Sequence, residues 1–188
     1  MRRLFVALSL PEVVADALTQ LQSGLRGARW LPSENFHLTL AFVGEVDRHG
    51  FSEIASSLEG VAAPSFDLSL KGCGFFGDRK PRALWVGAEP HPSLLRLQSK
   101  VDVALKRAGF SLDKRKFTPH VTIAYLAGVT QDAAASYCAG HGLFSVGPFP
   151  APEFHLYESH LGSECAHYEI VESFRLEARE NAAHASAV

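Results

Sequence analysis

His37-Leu-Thr-Leu-Ala-Phe-Val43 and His120-Val-Thr-Ile-Ala-Tyr-Leu126 are near-copies of one seven-residue phrase, set far apart in a chain of 188 residues. Each reads His, apolar, Thr, apolar, Ala, aromatic, apolar. The chain holds nine His and only five Thr, and two of those Thr lie in these phrases. With 47% of residues apolar, a given His is followed by apolar-Thr-apolar with probability about 0.006, so two such hits arise by chance on the order of once in a thousand chains. Chance is a poor explanation.

Apolar, β-branched and aromatic residues at this density favour a strand, whose side chains alternate between faces. His37 and Thr39 then share one face, with Leu38, Leu40 and Phe42 on the other. His120 and Thr122 likewise oppose Val121, Ile123 and Tyr125. Each strand buries its apolar face and offers an imidazole beside a hydroxyl. A supersecondary unit used twice implies two related lobes whose His-Thr pairs converge in the cleft between them. The bland alternative is two half-buried strands with hydrogen-bonded structural histidines. Packing alone, however, does not require the same His-Thr offset twice.

Composition bounds the rest. A chain of this length and apolar content forms one ordinary globular domain: residues 1–176 as a single two-lobed unit and 177–188, Ala-rich and polar, as a frayed tail. A net charge of −2 and a pI near 6.5 argue against a strongly basic nucleic-acid coat, though not against a local basic patch. Cys73, Cys138 and Cys165 are odd in number and lack CxxC spacing, which suits a reduced cytoplasmic interior better than a disulfide framework. Met1-Arg-Arg with Leu4 to Leu10 imitates a signal peptide, but the apolar run ends at Pro11-Glu12 and reads better as a first core strand. No run approaches the ~20 apolar residues of a membrane span.

Along the chain, residues 3–10 read as a strand and Pro11 to about Leu25 as an amphipathic helix. The first His strand spans about 37–43, followed by a helix over 51–60. Strands over 66–76 and 82–88 flank the turn Gly77-Asp-Arg-Lys-Pro81. A helix from about Pro92 to Ala108 ends at Gly109. The second His strand, 120–126, precedes a short helix near 131–139 and strands over 144–149, 153–160 and 167–176.

The paired phrases resemble the 2H phosphoesterases, a family named for two His-x-Thr-x motifs with apolar x. Within it the chain is most similar to the RNA 2′,3′-cyclic phosphodiesterases, formerly 2′-5′ RNA ligases. Arg3-Leu-Phe-Val-Ala-Leu-Ser-Leu-Pro-Glu12, Lys116-Phe-Thr-Pro-His120 and Pro81-Arg-Ala-Leu-Trp-Val-Gly87 support that branch, and the resemblance covers residues 3 to about 176. It implies an α+β, bilobal, pseudo-two-fold fold in which two antiparallel or mixed sheets line a central cleft with helices outside. It further implies that His37 is the proton donor and His120 the proton acceptor; the sequence alone does not assign the two roles. One departure stands out. The family often carries Arg five residues after the second His, where this chain has Tyr125. Strict alternation also turns position 125 away from His120, so its use would need a bulge or the strand's frayed end.

The chemistry follows from the residue types. A phosphodiester is attacked in line, so imidazoles on opposite walls suit it: one neutral to take water's proton, one charged to protonate the leaving oxygen. His titrates near 6.5, giving an expected bell-shaped profile with limbs bracketing roughly pH 5.5–8. Thr39 and Thr122 bind substrate by donating to the non-bridging oxygens. No metal or other cofactor is expected: the three Cys and scattered His lack zinc-ligand spacing, and no HExxH, Walker loop or GxGxxG occurs. His155, His160 and His167 read as surface groups. The basic clusters Lys114-Arg-Lys116 and Arg79-Lys-Pro-Arg82 read as solvated turns, with Lys114 to Lys116 also placed to meet RNA phosphates. Phe36, Phe42, Phe117 and Tyr125 read as core aromatics, with stacking on a base beside the cyclic phosphate as the alternative.

The expected partner is an RNA or oligonucleotide with a 2′,3′-cyclic phosphate end, opened to the 2′-phosphate, with reversible 2′-5′ ligation a further activity of that branch. A small cyclic nucleotide, such as ADP-ribose 1″,2″-cyclic phosphate, is the alternative substrate, and a non-catalytic RNA-end-binding protein the alternative class. No membrane partner is expected, and the chain is read as a cytoplasmic monomer.

Overall fold

The computed structural model describes residues 1–112, 116–160, 162 and 166–178. In chain order the elements are β1 (Arg2–Ser9), α1 (Glu12–Thr19), β2 (Ala28–Trp30), β3 (His37–Val46), α2 (Arg48–Glu59), β4 (Phe66–Phe76) and β5 (Ala83–Ala88). There follow α3 (Pro92–Arg107), β6 (His120–Leu126), α4 (Gln131–Gly140), β7 (Ser145–Ala151), β8 (Glu153–His160) and β9 (His167–Arg175). A 3-10 turn, Ser33–Asn35, precedes β3. Lys114, Arg115, Cys165 and the tail from residue 179 lie outside the described residues.

Local chemistry explains most boundaries. Asp47 accepts from the Gly50 N–H at 2.8 Å and opens α2, while Thr130 does the same for α4 through Ala133 at 3.2 Å. His91 caps α3, whose Pro92 occupies the first turn, where a missing N–H costs nothing. Leu94, Leu97, Val101 and Leu105 form its buried stripe. The sequence reading carries α1 to about Leu25, but the helix stops at Thr19. Leu21 and Leu25 are still buried, from turns that bend the chain into β2 with Gly24 and Gly27 at positive φ.

The nine strands make one hydrogen-bonded sheet in the order β7-β4-β5-β6-β3-β1-β8-β9, with β2 added on β6. Every strand pairing within it is antiparallel. Among the described strands, the two halves of this sheet meet at β3 and β6, through the single register pair Leu38↔Val121. Beyond that pair β6 takes β2 as its neighbour, at Ala124 to Leu126, and β3 follows β1. The two sheets expected from sequence are thus two wings of one sheet, splayed from a narrow seam. Leu38 and Val121 hold the same place in the two repeated phrases, so the pseudo-two-fold passes between them. The wings also exchange strands: β4 lies beside β5, and β8 beside β1.

One face of the sheet carries the core. Leu4, Val6, Leu8, Leu38, Leu40, Leu84, Val86, Val121 and Ile123 pack there with the buried stripes of the helices. The other face holds a small separate cluster of Phe5, Ala7 and Tyr157, joined by Tyr168. Among the described residues no helix is long and apolar enough to cross a membrane.

Bulges change the expected facing of two aromatics. The β1–β3 register slips between Val6↔Ala41 and Ala7↔Thr39, and the β5–β6 register between Leu84↔Ala124 and Trp85↔Thr122. Each slip inserts one residue, Leu40 or Ile123, and restarts the alternation. Phe42 therefore lies opposite Phe5 and Tyr125 opposite Ala83, both on the histidine face. They are 59% and 39% exposed rather than buried.

Gly74 of β4 shapes the same face, because a Cβ built there would lie 2.3 Å from the Trp85 ring. Only glycine lets Trp85 lie flat across β4. Gly74→Ala is expected to displace that ring and cost about 1–3 kcal/mol, read as a lower urea midpoint with a changed near-ultraviolet tryptophan signal.

Candidate active site

His37 and His120 open β3 and β6, one residue before the seam, and each is held by the same device. The His37 Nδ1–H donates to the Asn35 carbonyl at 2.8 Å, and the His120 Nδ1–H donates to the Thr118 carbonyl at 2.6 Å. A carbonyl only accepts, so Nδ1 carries the hydrogen in both rings. Nε2 is left as the atom that gains or loses a proton. Asn35 is itself buried and anchored, its Nδ2 donating to the Ala166 carbonyl at 2.7 Å.

Antiparallel register about Leu38↔Val121, carried one step either way, sets His37 across from Thr122 and His120 across from Thr39. Both threonines are half-buried, on the faces the sequence assigned them. The bridge thus brings the four predicted residues to adjoining positions on β3 and β6.

Each imidazole rests against aromatic rings. His37 lies 4.8 Å from Phe5 and 5.9 Å from Tyr157 by ring centroids, with Tyr168 edge-on at 5.1 Å. His120 meets Phe76 edge-on at 4.8 Å and Trp85 at 6.0 Å. Such surroundings disfavour the charged ring. Burial brings His37 down to about 4, against the support of the Asn35 carbonyl, and a charge on His120 disfavours it further. His120 is also lowered by burial, opposed by Thr118. In the free protein both rings are neutral at pH 7, and His37 is the harder to protonate.

Other expectations change here. His155 is not a surface group: it is buried, its ring between Ser9 Oγ at 3.0 Å and Ser173 Oγ at 2.9 Å. Ser9 is the register partner of His37, so this polar network backs the first histidine. His160 pairs with Glu169 at 3.3 Å, and His167 is exposed. Phe36 is buried in the core and unavailable for stacking, and Phe117 packs against that core. Arg29 of β2, the register partner of Tyr125, places its guanidinium 5.6 Å from the centre of that ring. A cation therefore reaches the position where the resembling family often has Arg. Among the described residues no three His, Cys, Asp or Glu side chains converge to hold a metal ion. A cavity of about 800 Å³ lined by Asp67, Ser69, His91 and Ser93 lies apart from both motifs and contains one imidazole only.

Sequence reasoning missed Asn35, the Thr118 carbonyl, the aromatic beds and His155. A signal existed for some of these: Phe5, Ala7 and Ser9 alternate with Leu4, Val6 and Leu8 along β1, marking a second apolar face.

Comparison with known proteins adds a family match and three individual relatives. A family model for LigT-like phosphoesterases matches twice, over residues 8–85 and 86–167. An RNA 2′,3′-cyclic phosphodiesterase of Geobacillus stearothermophilus is 34% identical over 92% of this chain, which spans only 56% of that protein's length. The enzyme of the same name from Thermotoga maritima is 38% identical over 64% of this chain and 68% of its own. The crystal structure of Escherichia coli LigT in its apo form shares the fold, with a TM-score of 0.77 and 24% identity over 93% of this chain and 97% of that one.

The depressed His37 has a consequence for stability. Between pH 6.5 and about 4 the unfolded chain binds a proton at residue 37 that the folded chain refuses. Stability then rises with pH across that window and is lost on acidification. In His37→Gln the acid-induced loss between pH 6.5 and 4 is expected to shrink by on the order of 2 kcal/mol, measured by urea unfolding at each pH.

Proposed function

The chain belongs to the LigT-like phosphoesterases, and from that membership we propose that it hydrolyses 2′,3′-cyclic phosphate ends of RNA to the 2′-phosphate without a metal ion. The observation that carries the reading is the seam: two imidazoles with the same tautomer, each facing the other motif's threonine. The names borne by its relatives support the substrate class.

Water attacks phosphorus in line as the bond to the 3′ oxygen breaks. One Nε2 accepts water's proton while the other gives its proton to the leaving oxygen, and solvent resets the two rings. Thr39 and Thr122 donate to the non-bridging oxygens, where charge accumulates. Both imidazoles being neutral in the free site, the anionic phosphate supplies the charge that brings in the proton. The family resemblance makes His37 the donor and His120 the acceptor. Burial lowers both imidazoles in the free site, so the assignment rests on where the bound phosphate lies. At the rim, Arg79, Lys80 and Arg82 are exposed on the β4–β5 turn beside Phe76, and Phe42 and Tyr125 offer exposed faces to a base.

His37→Ala and His120→Ala are each expected to lower kcat by ~10²–10⁴-fold, with wild-type activity persisting in excess EDTA. A cyclic substrate with sulfur at the leaving position needs no proton donor. It is expected to rescue His37→Ala and not His120→Ala; the reverse pattern exchanges the two roles, and full activity in either variant on the ordinary substrate overturns the mechanism.

The pH profile expected from bare imidazoles must also move. The kcat/KM profile reports the free enzyme, so its bell is expected to lie on the acid side of 6.5, with its acid limb near 4. These are values of the coupled pair. The kcat profile is expected at higher pH, because bound phosphate favours imidazolium. A kcat/KM bell centred at or above pH 7.5 would contradict the burial described here.

A further inference from the structure

Cys73 on β4 and Cys138 near the end of α4 are brought together by the fold, their Sγ atoms 3.3 Å apart and both side chains half-buried. Neither takes part in the phosphodiester chemistry. The two thiols share one hydrogen bond, in which either sulfur can donate. That contact lowers the Cys138 thiol below its ordinary value and raises Cys73. Cys138 is therefore the sulfur more readily deprotonated, and the thiolate is the nucleophile. Cys73 also sits where the β4–β5 register slips, beside Gly72 at φ 68°, so the strand already departs from regular geometry there. Among the described residues no third metal-ligating side chain joins the pair.

We propose that Cys73 and Cys138 are a reversible dithiol–disulfide pair that takes a peroxide as its oxidant. The Cys138 thiolate attacks one peroxide oxygen and the O–O bond breaks, leaving a sulfenic acid and hydroxide. Cys73 Sγ then attacks the sulfenic sulfur, losing its proton as the S–O bond breaks. Two thiols and one hydrogen peroxide become one disulfide and two waters. The sulfurs need only close from 3.3 Å to a bond of about 2.05 Å. The chain between them is long, so the bridge staples β4 to α4 across the core of its wing. The same closure draws on Gly74, the next residue, over which Trp85 lies beside His120.

The test uses the full chain carrying Cys165→Ser, so that two thiols remain. Treated with equimolar hydrogen peroxide, it is expected to lose both thiols to titration and yield a Cys73–Cys138 cross-linked peptide lighter by two hydrogens. Dithiothreitol restores both thiols. In the further variant Cys73→Ser, Cys138 is expected to stop at a sulfenic acid trapped by dimedone. The readout is independent of catalysis. Thiols that stay reduced, oxidise singly to sulfinic acid, or cross-link two chains instead would overturn the proposal.

Discussion

Among the described residues, Leu38 and Val121 form the one register pair between β3 and β6, where the two wings of the sheet join, and they occupy equivalent places in the two repeated phrases. An antiparallel pairing on a pseudo-two-fold has a strict consequence. Whatever flanks one partner flanks the other in reverse, so the register sets His37 across from Thr122 and His120 across from Thr39. Mutual facing of the two motifs is therefore a property of register rather than of loops. The joint is also short: after one pair, β3 and β6 part, and the gap between the wings opens where the imidazoles stand. A longer β3–β6 ladder would close that gap with strand, and no ladder would leave the histidines unrelated.

Around the seam the surroundings favour neutral rings. Phe5, Tyr157 and Tyr168 on one wing, and Phe76 and Trp85 on the other, exclude water from the imidazoles and depress their basicity. Opposing this, each Nδ1–H is tied to a carbonyl two residues upstream, which fixes ring orientation and tautomer without supplying a charge. A site of this kind is incomplete until an anion enters. On the proposed function, the bound phosphate is the group whose charge would offset the desolvation of an imidazolium.

Much of this was legible in the chain because one side-chain pattern did two tasks. The His-x-Thr alternation set the strands, their apolar faces and the pairing of functional residues together, and the helix of residues 92–107 announced itself through Pro92 at its start and Gly109 beyond its end. What failed to show had physical reasons. Ala28–Trp30 is too short for a period, and it exists because β3 vacates that edge of β6. Phe42 and Tyr125 obeyed the alternation rule until bulges at Leu40 and Ile123 reset it, and a bulge leaves no compositional mark here. His155 looked like a surface residue because its partners, Ser9 and Ser173, lie on strands distant in sequence. Local pattern reads one strand well; it does not read which strands become neighbours.

The exchange of strands between the wings sets the order in which the molecule can be completed. β1 is flanked by β3 and β8, and β8 consists of residues 153–160. While the chain is being synthesised, β1 and β3 can pair early, yet the other edge of β1 stays open until nearly all of the described sequence has been made. That edge belongs to Leu4, Phe5, Val6, Ala7 and Leu8, an apolar run of strand-forming residues with unpaired backbone groups. A nascent chain therefore carries a sticky edge from the emergence of β1 until residues 153–160 have been made, and a chain that stops before β8 keeps it.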